Sequence, residues 1–331
     1  MNGERDNNML FPWQLDEWQR LLQLKEMNRL PHAVLFSGMP GIGKHHFALQ
    51  SAKMLLCKHQ SSNISCTCHD CQLIDHRTHP NLCWIEPQEG HAIKIDQIRT
   101  LTEFMAHSGL QGEYKIVVIR SANCMNHHAS NALLKTLEEP AGQAFIILIT
   151  DQIYQLSATI RSRCQQFIFK KPSENCALEW LKQKAEKEEI NHLKFILRLS
   201  QGAPLLALDW LQSERITLRN HLYHMLFSLG EQTVDPIQVA ATLDLDAALF
   251  LLDLMLNFLI DLMYMKINTE YKIINNDFLT AFLKLKNTFS TEKIVKLMQL
   301  AQDARSTICK GLNLNKQLMF EHLFIQWAVS A

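Results

Sequence analysis

Five short apolar runs punctuate the first half of the chain: AVLFSG (33–38), NLCWIEP (81–87), YKIVVIR (114–120), AFIILIT (144–150) and CQQFIFK (164–170). Each is about one strand long, and several are too continuously apolar to have a wet face, as expected of strands covered on both sides in a parallel sheet. Helical spacing falls between them. It runs over 44–57, over 94–107 with Ile95, Ile98, Leu101 and Phe104 or Met105 on one face, and over 128–139, ending before Pro140. This alternation predicts an α/β domain with a doubly wound, mostly parallel five-stranded sheet. After Lys170, Lys171 and Pro172 the strands stop. From Ser173, a helix-capping residue type, to about Gln212 the pattern is two or three short helices broken at Gly202-Ala203-Pro204. Longer helical patterns follow, with breaks near Gly230, at Asp235-Pro236 and over 268–276. The expected domains are therefore 1–170, 171–212 and 213–331.

The longest apolar stretch, AALFLLDLMLNFLIDLMY (247–264), has the length of a membrane span, but Asp253, Asn257 and Asp261 recur every four residues and form a polar stripe along a helix. A packed helix in a soluble bundle is the simpler reading. The N-terminus carries charges where an export signal needs an apolar run, and nine cysteines without such a signal point to a reducing, cytoplasmic setting. Across 331 residues, 33 basic and 33 acidic side chains cancel, so the chain as a whole exerts no general pull on nucleic acid or anionic membrane. The fifteen histidines are scattered and none stands out as a catalytic base.

Candidate chemistry is concentrated at two places. SGMPGIGKHH (37–46) places Gly38, Gly41, Gly43 and Lys44 between a strand and a helix, where backbone N–H groups cradle phosphate. His45 stands where a phosphate loop carries a Ser or Thr ligand for Mg²⁺. Strand 114–120 ends in Arg120-Ser121, where an active ATPase of this architecture has two acids. Imidazole and guanidinium are poor substitutes for hard oxygen ligands, so hydrolysis by this chain alone is not expected, although Lys44 retains the capacity to meet ATP or ADP phosphate. The second place is CKHQSSNISCTCHDC (57–71). Cys57, Cys66, Cys68 and Cys71 have the donor set of a closed, structural tetrahedral Zn²⁺ site that folds a small module. The Cys66-Thr67-Cys68 gap is one residue tighter than usual, which leaves His59 or His69 as alternative ligands for one position.

Taken with "FPWQ" (11–14), "THPN" (78–81), "SNALLKTLEEP" (130–140) and "TIRSRCQ" (159–165), these features make the first 170 residues resemble the AAA+ clamp-loader subunits of bacterial DNA polymerase III. The helical remainder agrees in pattern and length. The resemblance implies an AAA+ domain, a helical lid and a C-terminal collar through which five subunits form an open ring. It also implies partners: the tau/gamma motor subunits, a delta subunit that opens the sliding clamp, the clamp itself, and primer-template DNA bound by the assembled complex. Segment QGAPLLAL (201–208) lacks the arginine with which motor subunits sense nucleotide. With His45, Arg120 and Ser121, that departure implies a non-hydrolysing stator rather than the alternative, an active ATPase motor. In the family the arginine of Ser-Arg-Cys reaches into the neighbour's ATP site; here that position is Arg163, with Arg161 close by. Leu133, Leu134 and Leu137 are expected to pack, and the polar remainder, including Lys135, Thr136, Glu138 and Glu139, to be available to a neighbouring subunit or the bore of the ring.

Overall fold

The computed structural model describes residues 10–59, 66–87, 92–106, 114–140, 142–267, 273–309 and 314–329. Much of the expected break at 268–276 and the middle of the cysteine excursion, 60–65, lie outside these. The chain forms two compact units, 1–208 and 209–331, each described by itself.

The first unit runs α1 (Leu15–Glu26), β1 (Ala33–Ser37), α2 (Lys44–Leu56), α3 (His69–Asp75), β2 (Leu82–Ile85), α4 (Ile95–Ala106), β3 (Lys115–Ile119), α5 (His127–Glu138), β4 (Ala144–Thr150), α6 (Ala158–Arg163) and β5 (Gln165–Ile168). Helices α7 (Glu174–Lys184), α8 (Ile190–Leu199) and α9 (Pro204–Gln212) follow. The sheet order is β2-β3-β4-β1-β5 and every pairing is parallel. All five residues of β1 and all seven of β4 are buried, as strands with no wet face must be.

The two-residue side-chain period assigns each strand residue to a layer. Val34, Phe36, Ile116, Val118, Phe145 and Ile147 meet Trp18, Leu21 and Phe47 on one face. Ala33, Leu35, Val117, Ile119, Ile146 and Leu148 meet Ile98, Leu101, Leu133 and Leu137 on the other. From β1 the chain crosses to the far edge at β2, returns through β3 and β4, then passes β1 to reach β5. Connections therefore leave β1 and its neighbour β4 in opposite directions, which opens a crevice at their C-terminal ends where α/β sheets bind ligands.

The second unit is helical: α10 (Arg215–Gly230), α11 (Pro236–Ala241), α12 (Ala248–Ile267), α13 (Leu279–Thr288), α14 (Thr291–Cys309) and α15 (Lys316–Ala328). One helix, Leu245–Ile267, is long and apolar enough to cross a membrane. It is instead a core element, with Leu251, Leu252, Met255, Phe258, Leu259 and Leu262 buried inside the unit.

The polar stripe along this helix meets two different environments. Asp253 is partly exposed and pairs with Arg305 at 2.6 Å, but Asp261 is fully buried. The Asp261 carboxylate accepts from the Ile274 and Asn275 backbone N–H groups and from Asn275 Nδ2. Burial pushes its pKa up, against these bonds and the charge of Arg219. Arg219, also fully buried, donates to Asn275, Asn220 and both Asp277 oxygens. These five bonds match the five N–H groups of a guanidinium, which is how an internal arginine is tolerated.

Candidate functional site

The crevice beyond β1 and β4 is a pocket of about 160 Å³ lined by Pro40, Gly41, Gly43, Lys44, His45, Arg120, Ser121, Ile149, Thr150 and Asp151. It thus gathers the expected phosphate loop, the two positions expected to lack metal ligands, and Asp151, which sequence reasoning missed. Gly43 adopts φ +85° and leads into α2, while Gly41 has φ +73°, a left-handed conformation that glycine enters without steric cost. Each glycine is also forced by packing. A Cβ on Gly41 would lie 2.6 Å from Leu206 Cβ, one on Gly43 would lie 2.5 Å from the Phe11 ring, and one on Gly38 would lie 2.5 Å from the Phe169 carbonyl oxygen. Trp13 Nε1 and Gln14 Nε2, from FPWQ, each donate to the Ile42 carbonyl at 2.9 Å and so tie the chain start to the loop.

Lys44 is buried, with 4% of its surface exposed, and its ammonium is fully engaged. Nζ donates to the Gly38 carbonyl at 2.6 Å and the Met39 carbonyl at 2.7 Å, and pairs with Asp151 Oδ1 at 2.6 Å. Burial lowers its pKa and Asp151 opposes that shift. His45 shows part of its ring to solvent, yet desolvation against the pocket wall, followed by Arg120, His46, Arg77 and Lys44, pushes its pKa down to about 4. The imidazole is therefore neutral at neutral pH.

Arg120 donates to Glu86 at 3.1 Å, and Arg77 lies 3.3 Å from the same carboxylate. Desolvation favours the acid form of Glu86, but hydrogen bonds from Trp84 and Arg120 and the charges of both arginines hold its pKa below the usual value. Thr150 Oγ1 is also occupied, donating to Asn123 Oδ1 and accepting from the Gln152 N–H.

The four predicted cysteines converge. Cys57, Cys66, Cys68 and Cys71 place their sulfurs within 4.8 Å of one another, with Cys57 Sγ 3.6 Å from Cys66 Sγ and 3.7 Å from Cys68 Sγ. A tetrahedron of sulfurs about 2.3 Å from Zn²⁺ has edges of about 3.8 Å, so the set fits that ion; a disulfide would bring two sulfurs to about 2.05 Å. Cys66 belongs to the cluster despite the short Cys-x-Cys gap, and among the described residues neither His59 nor His69 joins it. Cys57 ends α2, and Cys68 and Cys71 open α3. Nearby, His79 of THPN accepts from the Asn81 N–H through Nδ1 and turns Nε2 toward Asp70, 3.9 Å away.

Arg163 ends α6, a helix capped by the Ser157 hydroxyl. Its guanidinium donates to the Thr159 carbonyl at 3.1 Å and to Glu138 at 2.5 Å, with 35% of the side chain exposed. Cys164 beside it is a core residue, its thiol pushed up to about 12 by burial. Arg161 has a buried Nε without a partner among the described residues. In SNALLKTLEEP, Leu133 and Leu137 are buried as expected. Thr136 is not outward-facing: it too is buried, its hydroxyl 3.5 Å from that of Thr102, because α4 packs there against α5.

Two family models match: "DNA polymerase III, delta subunit" over residues 13–173, and "DNA polymerase III, delta subunit, C terminal" over 213–328. A curated relative in Pseudomonas aeruginosa, DNA polymerase III subunit delta', is 31% identical over 323 residues, 96% of this chain and 97% of that one. The chain belongs to the DNA polymerase III delta' family. Another delta' subunit, from Bacillus subtilis, is 40% identical over 144 residues, 44% of each chain. Among solved structures, a DNA polymerase III gamma subunit-related protein from Thermotoga maritima covers 93% of this chain and 98% of its own at 18% identity, with a TM-score of 0.42, too loose a likeness to argue from. As a delta' subunit, the chain is a clamp-loader subunit of DNA polymerase III.

Proposed function

We propose that this chain is the non-hydrolysing stator of the replicative clamp loader, positioning the clamp-opening delta subunit and lending Arg163 to the ATP site of a neighbouring tau/gamma motor subunit. The observation that carries the reading is the charge inventory of its own pocket. Lys44 is consumed by two carbonyls and Asp151, while His45 and Arg120 occupy the positions where oxygen ligands for Mg²⁺ are needed. Arg163 is half-exposed at a helix end and held by one carboxylate, so it can exchange Glu138 for a phosphoryl group presented by a neighbour. There a guanidinium stabilises the charge that develops during transfer.

On this reading residues 1–170 form the AAA+ domain, 171–212 its lid and 213–331 the ring-forming collar, in a hetero-pentamer that loads the sliding clamp on primer-template DNA. Cys57, Cys66, Cys68 and Cys71 hold a structural Zn²⁺. The test is reconstitution of the complete clamp loader with Arg163→Ala and, separately, Arg161→Ala. The proposal expects DNA-stimulated ATP turnover to fall at least tenfold with the first and little with the second; unchanged turnover with Arg163→Ala rules out the finger. Turnover by the purified chain alone, lost on Lys44→Ala, would instead favour the motor reading.

A further inference from the structure

The pocket is more than a phosphate loop with its metal ligands missing. A lysine ammonium has three N–H donors, and all three of Lys44's are used within the chain: two by loop carbonyls and the third by Asp151 Oδ1 at 2.6 Å. The two carbonyls belong to the loop itself; the carboxylate arrives from the end of β4, across the crevice, and lines the same cavity as Gly41, Gly43 and Lys44. Two further polar groups around it are also committed. Arg120 is paired with Glu86, and the Thr150 hydroxyl both donates and accepts. Asp151 is loosely held, with 46% of its side chain exposed. Lys44 is almost fully buried, so the cation is fixed and the anion is the replaceable member of the pair.

We infer that Asp151 acts as an internal stand-in for phosphate, closing a polyphosphate site that the loop's backbone and Lys44 would otherwise form. The inference deepens the stator reading and rests on it. The loop's shape is intact because its glycines are fixed by packing against Leu206, Phe11 and Phe169, so vacating the carboxylate position frees a donor beside a formed anion cradle. A phosphate group arriving there would recover the charge-assisted hydrogen bond that Asp151 gives up. No Mg²⁺ is required for such binding.

The experiment uses the full chain and its Asp151→Ala and Asp151→Ala/Lys44→Ala variants, titrated calorimetrically with ATP and with inorganic pyrophosphate, without added divalent cation. Circular dichroism and thermal melting establish that each variant is folded, and Asp151→Asn provides a second, near-isosteric removal of the charge. Asp151→Ala is expected to bind at least one of the two probes ten times or more tighter than the parent, the gain disappearing in the double variant. Pyrophosphate binding equal to that of ATP assigns recognition to the phosphates alone; tighter ATP binding extends the site to the nucleoside. Two results overturn the inference: a parent that binds as tightly as Asp151→Ala, or folded Asp151→Ala and Asp151→Asn proteins that gain nothing. The stator reading fails separately, if the parent chain alone turns over ATP when Mg²⁺ is supplied.

Discussion

Replacing Cys66 with Ser tests the metal centre at the ligand whose spacing is least regular. The sulfur–sulfur distances of 3.6 and 3.7 Å from Cys57 lie within about 0.2 Å of a Zn²⁺ tetrahedron's edge, so those three sulfurs stand at ligand spacing. An ion present at about 1,000 times its dissociation constant stabilises the fold that binds it by about 4.1 kcal/mol. The site joins α2 to α3, whose Leu56 and Ile74 lie in the same core layer as β1, so this stabilisation reaches the sheet. For a folding unit of this size, about 2–4 °C of melting temperature per kcal/mol gives a loss of about 8–16 °C when the ion is removed. The assay is metal content by mass spectrometry together with melting of the full chain, before and after chelation under reducing conditions. About one zinc per parent chain is expected, little in Cys66→Ser, and a variant melting temperature that chelation no longer lowers. Parent protein that carries no zinc after growth with the metal, and melts at the same temperature with or without chelator, refutes the reasoning.

Two further outcomes follow from buried or crowded charge. The His45 imidazole should titrate near 4 by NMR, and Arg120→Ala should raise that value by removing a neighbouring cation. Because its folded pKa is depressed, the unfolded chain binds the extra proton between about 4 and 6.5, so stability falls as pH drops through that window; solvent exposure of the ring keeps the effect to about 1 kcal/mol. Arg219→Met should destabilise the 209–331 unit by about 3 kcal/mol in denaturant unfolding, at the low end for breaking a buried ion pair because Asp277 retains 34% exposure. Adding Asp277→Asn should recover part of that loss, and additive effects would show that the two residues do not act as a pair.

The sheet was legible because its chemistry is local. Runs such as AFIILIT leave no solvent-facing period, and each of the five expected strands agrees with the structure to within three residues at either end. The cysteine cluster was readable for the same reason: its ligand types and spacing lie within a short stretch. What remained hidden depends on long-range pairing. Nothing in ITDQ (149–152) marks Asp151 as the partner of Lys44, 107 positions earlier, and only the β1–β4 register brings them together. The burial of Asp261 was not legible because helical periodicity reports which residues share a face, not whether that face meets water or an internal arginine network. The burial of Thr136 was hidden likewise, set by α4 rather than by its own helix.

On the stator reading, the glycines explain how the G-x-x-x-x-G-K turn persists without nucleotide chemistry. Selection on phosphate binding alone would leave Gly41 and Gly43 free to drift once Lys44 was occupied from within. Both are held by other demands: Gly41 by its left-handed backbone and the approach of α9 through Leu206 and Ala203, and Gly43 by the Phe11 ring and the Gln14 amide pressed against it. The Leu205 N–H further donates to the Gly41 carbonyl, so the loop serves as the seat on which the following helices pack. Any Cβ at these positions meets atoms at 2.5–2.6 Å, a separation that only backbone movement or rotation of a packed ring relieves. Lysine at 44 serves the same turn, its ammonium donating to the Gly38 and Met39 carbonyls. The sequence G-x-x-x-x-G-K thus reports a turn whose geometry is structural, and the catalytic content of such a loop is decided by the residue that follows it, here His45, and by those across the crevice, here Arg120 and Asp151.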